Sequence, residues 1–545
     1  MTSTEIPFPP VPNRSVGRGT SHLIHPPQRW PGDRAILVAL TLVLILGAVL
    51  RLHALTQKSL WEDEIFGLNA LGIYHVGQAI PQWSIMPENI IRYYRADNHP
   101  PLFFLLLAAW VKMFGADVFS VRMLSVAVNL LTIPVIYRLA RRIFEARRVA
   151  LIACLLSGCS AFLVYFSQEA RMYPLVLLLS CLSSLFLLRI LDGGGRGSYA
   201  GFAVLSALGL YTHYYYVFLI CSQVIYWMLW RERRVLPFLF SLSAIALAFI
   251  PWLPAFLYQI SQKNQSDLWI RSSGQGLARL ETIAVQWIDV LFRFMAGENF
   301  VYPNTGRGLR IVCSVVGVAA LAALLQWPLL RRRRGLFLLV WLAVPLAAGS
   351  LVDLFFQTRT LEASKYFIVS YPAVLLLVSA AIGFFPSRAV SAVMLSGLLL
   401  LNVNALAAYY RSSGLVEWRD VARYLSERVA ADDILISPEP RVFTCVAFYL
   451  NRPVRAVQFP YGAPLDHMLG RIRAQGASST RLWLVSAYES VAPWLQELSQ
   501  QLEQEFRLVS SEAFARHATV RCFGNLPLEE ARSQTGRLAA VGSGP

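Results

Sequence analysis

The sequence predicts a polytopic α-helical membrane protein with a small α/β domain at its C-terminal end. Three observations predict it. Hydrophobic residues make up 56% of the 545 and charged residues only 15%, with a mean hydropathy of +0.49; a soluble chain cannot bury that much apolar surface, whereas a membrane-spanning chain need not. The apolar residues come in repeated runs, most of them near the roughly 20 residues that a spanning helix needs. Between these runs arginines gather in short polar loops, the bias that holds loops on the cytoplasmic side.

Residues 1–33 are rich in Pro, Gly, Ser and Arg and read as a disordered cytoplasmic tail. They lack the apolar core and cleavage site of a signal peptide, so the first apolar run, Ala35 to Leu50, should stay as an anchor. Apolar runs near 35–52, 118–138, 149–166, 173–190, 199–212, 214–230, 235–257, 308–330, 335–356, 366–385 and 389–409 give eleven spans, the 199–212 run being short. The 14-residue run Pro101 to Phe114 is read as an interfacial or re-entrant helix. Counted as a span, it would put Arg138, Arg141, Arg142, Arg147 and Arg148 on the side of the 53–99 loop and flip every later basic loop. With it left out, the tail, 138–148, 189–198, 231–234, Arg331 to Arg334 and Arg388 all fall inside.

The transmembrane region is thus 34–411, with the N-terminus cytoplasmic and the C-terminal part outside. Four stretches face outward: the 53–117 loop, the Ser167–Arg171 turn, the 258–306 loop and everything after Arg411. In the 258–306 loop, Leu280, Ile283, Trp287, Val290, Leu291 and Phe294 are spaced for one face of a second interfacial helix.

From 412 to 526 helix-like and strand-like runs alternate: Glu417–Val429, Ile434-Leu435-Ile436, Phe443–Leu450, Val454–Phe459, 464–474, Leu482–Ser486, 491–505 and two late strands. That alternation predicts an extracytoplasmic α/β domain, followed by a flexible tail over 527–545. No Gly-rich phosphate loop opens its helices. Cys445 and Cys522 lie in this domain, and whether they pair is left open; the other five cysteines lie in apolar runs.

A net charge of +17 would suggest nucleic acid in a soluble protein; here it is accounted for by topology, and no nucleic-acid partner is expected. Only four of the 49 basic residues are lysines, a bias that points to a GC-rich, bacterial genome and hence to an inner (plasma) membrane.

The chemistry-bearing residues gather in the outward-facing segments. Ser59-Leu60-Trp61-Glu62-Asp63-Glu64 puts three successive carboxylates just beyond the first span. One acid there would be an ordinary helix start; three, followed by an amphipathic run, favour function. Asp97-Asn98-His99-Pro100-Pro101-Leu102 reads equally well as a helix start and as a segment in which His99 meets a substrate or metal. Glu169 and Arg171 sit in a turn too short to leave the membrane surface, either as a local pair or as part of a site facing the 53–117 loop. His213, in Tyr211-Thr212-His213-Tyr214, and Lys365 end spans on the same side; Lys365 suits a lipid phosphate or simply snorkels. A carboxylate base beside cations at a lipid surface fits transfer from a lipid-phosphate donor, because a phosphate leaving group needs cations more than a proton.

Leu60-Trp61-Glu62-Asp63-Glu64, His99-Pro100-Pro101-Leu102, Phe166-Ser167-Gln168-Glu169-Ala170-Arg171-Met172-Tyr173 and Tyr211-Thr212-His213-Tyr214, in this order, resemble bacterial GT-C fold glycosyltransferases. The resemblance is to the group related to protein O-mannosyltransferases and to the aminoarabinose transferase of lipid A, and it covers roughly 35–410. It implies transfer of a sugar from a polyprenyl-phosphate donor to a lipid, glycan or protein hydroxyl outside the cytoplasm. It assigns Asp63 as general base, with Glu64 completing the Asp-Glu pair. It places a second site residue in the next outer turn, Glu169 here, with an Asp of some relatives nearer the position of Tyr173 and an Arg of many near that of Lys365; these three are read as substrate-binding together with His99, Arg171 and His213, which their place on the outer face brings in, and Glu62 is left to solvent. Relatives exist with and without a divalent metal ion, so that cofactor stays open. The alternatives are a flippase of a lipid-linked saccharide and a surface-polysaccharide polymerase or ligase. A carrier should place charges in mid-span and often shows inverted repeats, and neither is evident here.

Overall fold

The computed structural model describes residues 32–70, 74–75, 78–79, 98–229, 234–266, 277–298, 317, 333–356, 358–412, 416–450, 454–459, 462–476, 480–489, 492–514 and 517–527. The tail, Asp97, most of the 71–97 stretch, the expected 308–330 span apart from Gly317, Arg331 and the C-terminal tail lie outside them.

Seven helices among the described residues are long and apolar enough to cross a bilayer: Arg34–Leu52, Val118–Phe144, Tyr173–Leu191, Val235–Ser261, Arg334–Phe356, Ser364–Gly383 and Arg388–Arg411. An eighth span is a broken one, Arg147–Cys159 followed by Ala161–Ser167 at 51°. The expected spans at 199–212 and 214–230 are helices of 15 and 14 residues, Arg196–Leu210 and Tyr216–Leu229. At 1.5 Å per residue each is shorter than the hydrocarbon layer. The run after Pro101 is a 13-residue helix, Leu102–Phe114, likewise too short to span.

The break at Ser160 costs backbone hydrogen bonds that no water would replace inside a bilayer, and polar side chains supply them. Asn402 accepts from the Ala161 amide at 2.8 Å, and the Ser160 hydroxyl accepts from the Leu163 amide at 3.2 Å. On the other side Arg51, fully buried, donates to the carbonyls of Gly158 at 2.8 Å and Ser157 at 3.1 Å and to Asn129 Oδ1 at 2.8 Å. The broken helix is thereby locked to the first span, and its end delivers the Gln168–Met172 turn.

Over the same end lie three short or amphipathic helices. The acid motif opens helix Glu62–Ala70. Gly67 lets that helix close on Leu102–Phe114: a Cβ there would stand 2.4 Å from the Phe104 ring. The amphipathic helix expected in the 258–306 loop is Leu277–Ala296, which buries Val290 and Phe294 and half-buries Ile283, Trp287 and Leu291; the Leu280 side chain lies outside the described set.

The C-terminal region forms a five-stranded sheet from β1 (Ile434–Ser437), β2 (Arg455–Gln458), β3 (Arg481–Ala487), β4 (Phe506–Phe514) and β5 (Ala518–Pro527), in the order β2-β1-β3-β5-β4. Crossover helices Pro440–Tyr449 and Leu465–Gly476 make β1 parallel to both neighbours, whereas β5 runs antiparallel to β3 and β4. Cys445 and Cys522 are both buried and free, on a helix and on β5. The domain docks on the acid motif: Ser59 Oγ donates to Glu417 at 2.8 Å and the Leu60 amide to the Tyr449 hydroxyl at 2.7 Å, while Lys58 donates to the Tyr409 carbonyl at the end of the last span at 2.7 Å.

Candidate active site

The three carboxylates at the start of helix Glu62–Ala70 point in three directions and meet three environments. Glu64 is buried against Arg122, which reaches it through Nε at 3.0 Å and Nη2 at 2.8 Å. The amides of Trp61 and Ala170 donate to the same carboxylate at 3.0 and 2.7 Å. Arg122 also donates to the carbonyls of Leu55, Lys58 and Ser59. This pair ties the loop, the Val118–Phe144 span and the 168–172 turn together, and both Glu64 oxygens are taken up by nitrogen donors.

Asp63 keeps a third of its side chain exposed. Its Oδ2 lies 3.7 Å from Lys365 Nζ and 4.0 Å from Arg171 Nη2, and Arg171 also donates to the Asp63 carbonyl at 3.0 Å. Burial pushes its carboxyl up, but the opposing pull of Arg171, Lys365 and His99 outweighs burial and holds it below the ordinary aspartate value. Asp63 is therefore ionised at neutral pH.

Glu62, expected at the solvent, is instead enclosed. Its carboxyl meets the Tyr488 hydroxyl of the C-terminal domain, and burial, reinforced by Asp63 and Glu439 and opposed by Tyr488 and Arg441, raises it to about 7. Sequence reasoning missed this contact because Tyr488 lies more than 400 residues away in the chain. Tyr488 is also held at φ 59°, unusual for a non-glycine residue, with its amide donating to the His517 carbonyl at 2.7 Å and its ring stacked on His517.

The other expected residues converge on Asp63. Arg171, only 2% exposed, has Nη2 3.4 Å from each ring nitrogen of His99. The local Glu169–Arg171 side-chain pair is not formed: the turn joins them by backbone alone, Arg171 N to Glu169 O at 2.8 Å. The Leu102 amide donates to the Tyr211 carbonyl at 2.9 Å, which brings the His99 and His213 segments side by side, ring centroids 6.0 Å apart. His213 Nδ1 accepts from the Tyr215 amide at 3.1 Å, and its ring lies 6.4 Å from Tyr173 and 5.8 Å from Tyr366. Lys365 does not snorkel away: Nζ sits 5.1 Å over Trp61 and 5.8 Å over Tyr173. Glu169 is buried behind Asp63; burial, with Glu64 and Asp63 adding and Lys365 and Tyr165 opposing, lifts its carboxyl to about 8.

Two further acids shape the site from behind. Asp353 accepts from Thr360 N at 2.8 Å, Leu361 N at 3.0 Å and the Thr358 and Thr360 hydroxyls at 2.6 Å each, fixing the turn that precedes Lys365. Glu298 accepts from Ser364 Oγ at 2.6 Å while paired with Arg293 at 2.7 Å, so the end of the amphipathic helix is tied to the residue beside Lys365. Among the described residues no three His, Cys, Asp or Glu side chains are grouped to hold a metal ion.

Residues 98–258 match the family described as dolichyl-phosphate-mannose-protein mannosyltransferase. The match takes in His99, Glu169, Arg171, Tyr173 and His213 and leaves Asp63, Glu64 and Lys365 outside it. Among solved structures, ArnT from Cupriavidus metallidurans bound to undecaprenyl phosphate is similar over 91% of this chain and 99% of its own, at 11% identity and a TM-score of 0.57. The archaeal oligosaccharyltransferase AglB from Archaeoglobus fulgidus, in complex with an inhibitory peptide and a dolichol-phosphate, is similar over 88% of this chain and 73% of its own, at 11% identity and a TM-score of 0.53. A search of curated proteins finds no match. The chain has the multi-pass helical GT-C fold that these solved structures share. It is similar to the mannosyltransferase family over residues 98–258 and to ArnT in its fold.

Proposed function

We propose that this protein moves a sugar from a polyprenyl-phosphate donor to a hydroxyl of an extracytoplasmic lipid, glycan or protein, in one inverting displacement with Asp63 as general base. The observation that carries the reading is the ionised Asp63 carboxylate flanked by Lys365 and Arg171 at 3.7 and 4.0 Å. The matched family is described by a dolichyl-phosphate-linked mannose, and ArnT was solved with undecaprenyl phosphate; both support a lipid-phosphate donor. The positive-inside pattern supports an inner-membrane orientation with the site and the α/β domain outside.

In this mechanism Asp63 takes the acceptor proton as the acceptor oxygen bonds to the anomeric carbon. The bond from that carbon to the donor phosphate oxygen breaks, and polyprenyl phosphate leaves as an anion neutralised by Lys365 and Arg171. The same cations depress Asp63 in the free enzyme. A bound phosphate draws on their charge, so Asp63 becomes a stronger base when the donor is in place. Glu64 holds the loop from behind. Incubating the purified protein with a panel of polyprenyl-phosphate sugars tests the reading: one of them should be consumed, with polyprenyl phosphate released. Consumption of lipid-diphosphate donors alone would replace it with the polymerase or ligase reading.

Lys365→Ala should raise the donor KM about tenfold or more, in line with loss of a charge-assisted contact, and lower kcat less. Steady-state kinetics with unchanged KM would remove Lys365 from the phosphate site.

Glu169 carries a pH prediction. Its raised carboxyl keeps its proton up to about pH 8. Above that pH it adds a second negative charge behind Asp63 and repels the donor phosphate, so activity should fall on the alkaline side with a midpoint near 8. Glu169→Gln, which mimics the protonated form, should keep most of the activity at pH 7 and flatten that limb. An unchanged alkaline limb in the variant would assign it to another group.

A further inference from the structure

The C-terminal domain reaches the acid motif through one strained residue. Tyr488 follows β3 and stands at φ 59°, in the left-handed region where a side chain costs energy. Such a conformation persists only where its surroundings over-determine it, and here they do. The Tyr488 amide donates to the His517 carbonyl at 2.7 Å, and the two rings stack with centroids 5.2 Å apart. The next residue, Glu489, accepts from Arg521 Nη1 at 2.6 Å and Nη2 at 3.0 Å and from the Ser486 hydroxyl. Together these contacts fix the direction in which the phenol leaves the domain.

That direction is Glu62, one residue before Asp63. Helix Pro440–Tyr449 packs on helix Glu62–Ala70 along the same seam, with Arg441 5.6 Å over the Phe66 ring. The groups facing Glu62 are Asp63 on its own helix, Glu439, Arg441 and the neutral thiol of Cys445 on the domain helix and its start, and Tyr488 after β3. Burial and the two acids disfavour charge on Glu62; Arg441 and the Tyr488 hydroxyl favour it. Docking alone does not call for Tyr488. Glu417, Tyr449 and Arg419 already hold the domain on residues 56–60 by unstrained hydrogen bonds, Arg419 Nη2 to the Thr56 carbonyl at 3.2 Å among them.

We propose that Tyr488 is a positioning residue for the transfer reaction: its hydroxyl fixes the Glu62 carboxyl, and with it the helix start from which Asp63 projects. This role rests on the reading of Asp63 as base. The cations at 3.7 and 4.0 Å lie too far from the Asp63 carboxylate to orient it by hydrogen bonds, so its direction is set by the backbone that carries it. That backbone is held on one side by Arg171, which donates to the Asp63 carbonyl at 3.0 Å, and on a second by the Glu64–Arg122 pair. Tyr488 supplies the third side from the C-terminal domain. A base must lie within hydrogen-bond reach of its proton, and a misplacement of about 1 Å can cost about a hundredfold.

Glu62 titrates near 7 in this setting. Once ionised it holds the phenol more strongly and, as a second negative charge beside Asp63, strengthens the base. Turnover should therefore rise with pH through about 7. Loss of the phenol O–H, which favours the charged form, should move that rising limb to higher pH.

The test is the pH dependence of kcat and donor KM for the full-length protein, with whichever lipid-linked sugar the wild type consumes. Tyr488→Phe keeps the ring and its stack on His517. It should lower kcat about tenfold at neutral pH, the scale of a lost hydrogen bond to a charged group. It should also leave donor KM unchanged and shift the limb to higher pH. Glu62→Ala should lower kcat by a similar factor and abolish the limb, so a Tyr488→Phe chain that fails to fold does not end the test. Adding Tyr488→Phe to Glu62→Ala should cost nothing more, because the hydroxyl acts through that carboxyl. Tyr449→Phe, which removes a docking bond away from Glu62, should leave the limb in place. Wild-type kcat and limb in Tyr488→Phe or in Glu62→Ala would overturn the proposal. So would the same limb shift in Tyr449→Phe, or a full effect of Tyr488→Phe in the Glu62→Ala background. Failure of the base reading shows separately, as an Asp63→Asn variant that keeps its kcat.

Discussion

Asp63→Asn should cut turnover by at least about a hundredfold in a protein that stays folded and still binds donor. A positioned base contributes about 10²–10⁴-fold when the nucleophile is a weakly acidic hydroxyl. Asparagine keeps the size and most of the hydrogen bonding of aspartate and removes only charge and basicity. Because Asp63 is a third exposed and its cations lie 3.7 and 4.0 Å away, losing its charge should disturb the fold little. Donor affinity should hold or rise, since Lys365 and Arg171 lose a competitor for the phosphate. The loss should therefore appear in kcat and not in donor KM. Near wild-type kcat in this variant would remove the base from the mechanism and leave the site as a phosphate-binding one only.

Glu64→Gln should act on stability instead. Arg122 would remain buried with its ionic partner gone, and breaking a buried pair from one side typically costs about 3–5 kcal/mol. The expected result is a thermal midpoint several degrees lower, with catalytic loss following the unfolded fraction. Replacing both partners, Glu64→Leu with Arg122→Met, should recover little of that loss: no unpaired charge is left behind, but the amides of Trp61 and Ala170 and the carbonyls of Leu55, Lys58 and Ser59 lose these partners. If Glu64→Gln kept the wild-type midpoint and still lost as much kcat as Asp63→Asn, the division of labour between these adjacent acids would be wrong, and Glu64 would share the chemistry.

The contrast between Asp63 and Glu64 marks how far the sequence was legible. The motif Trp61-Glu62-Asp63-Glu64 pointed to the loop as a candidate site, and the resemblance singled out Asp63 with Glu64 beside it. Successive residues at a helix start diverge by about 100° per residue, so their surroundings come from whatever packs on each face. Here one face met Arg122 of a span, the second met Arg171 and Lys365, and the third met Tyr488 of the α/β domain. No local pattern carries that information, which is why Glu62 was left to solvent. Asp353 and Glu298 escaped for a related reason. Each lies near the end of an apolar or amphipathic segment, as many acids do, and only the turn before Lys365 gives them a role in the site.

By itself the sequence determined what composition and periodicity encode. Apolar runs of spanning length specify helices in a bilayer, because backbone groups there have no other partner. Alternating short runs after residue 412 specified the α/β domain nearly element by element, from Ile434–Ser437 to the late strand pair. Tertiary structure decided the rest. It broke the 147–167 segment at Ser160, a residue with no unusual signature, and made the break tolerable through Asn402 and Arg51, which are distant in sequence. It also decided which cation faces which acid. Helical pattern is a local free-energy preference repeated along the chain, whereas the charge of Asp63, the proton on Glu169 and the enclosure of Glu62 depend on desolvation and on Coulomb terms a few ångströms in range, supplied by residues tens to hundreds of positions away.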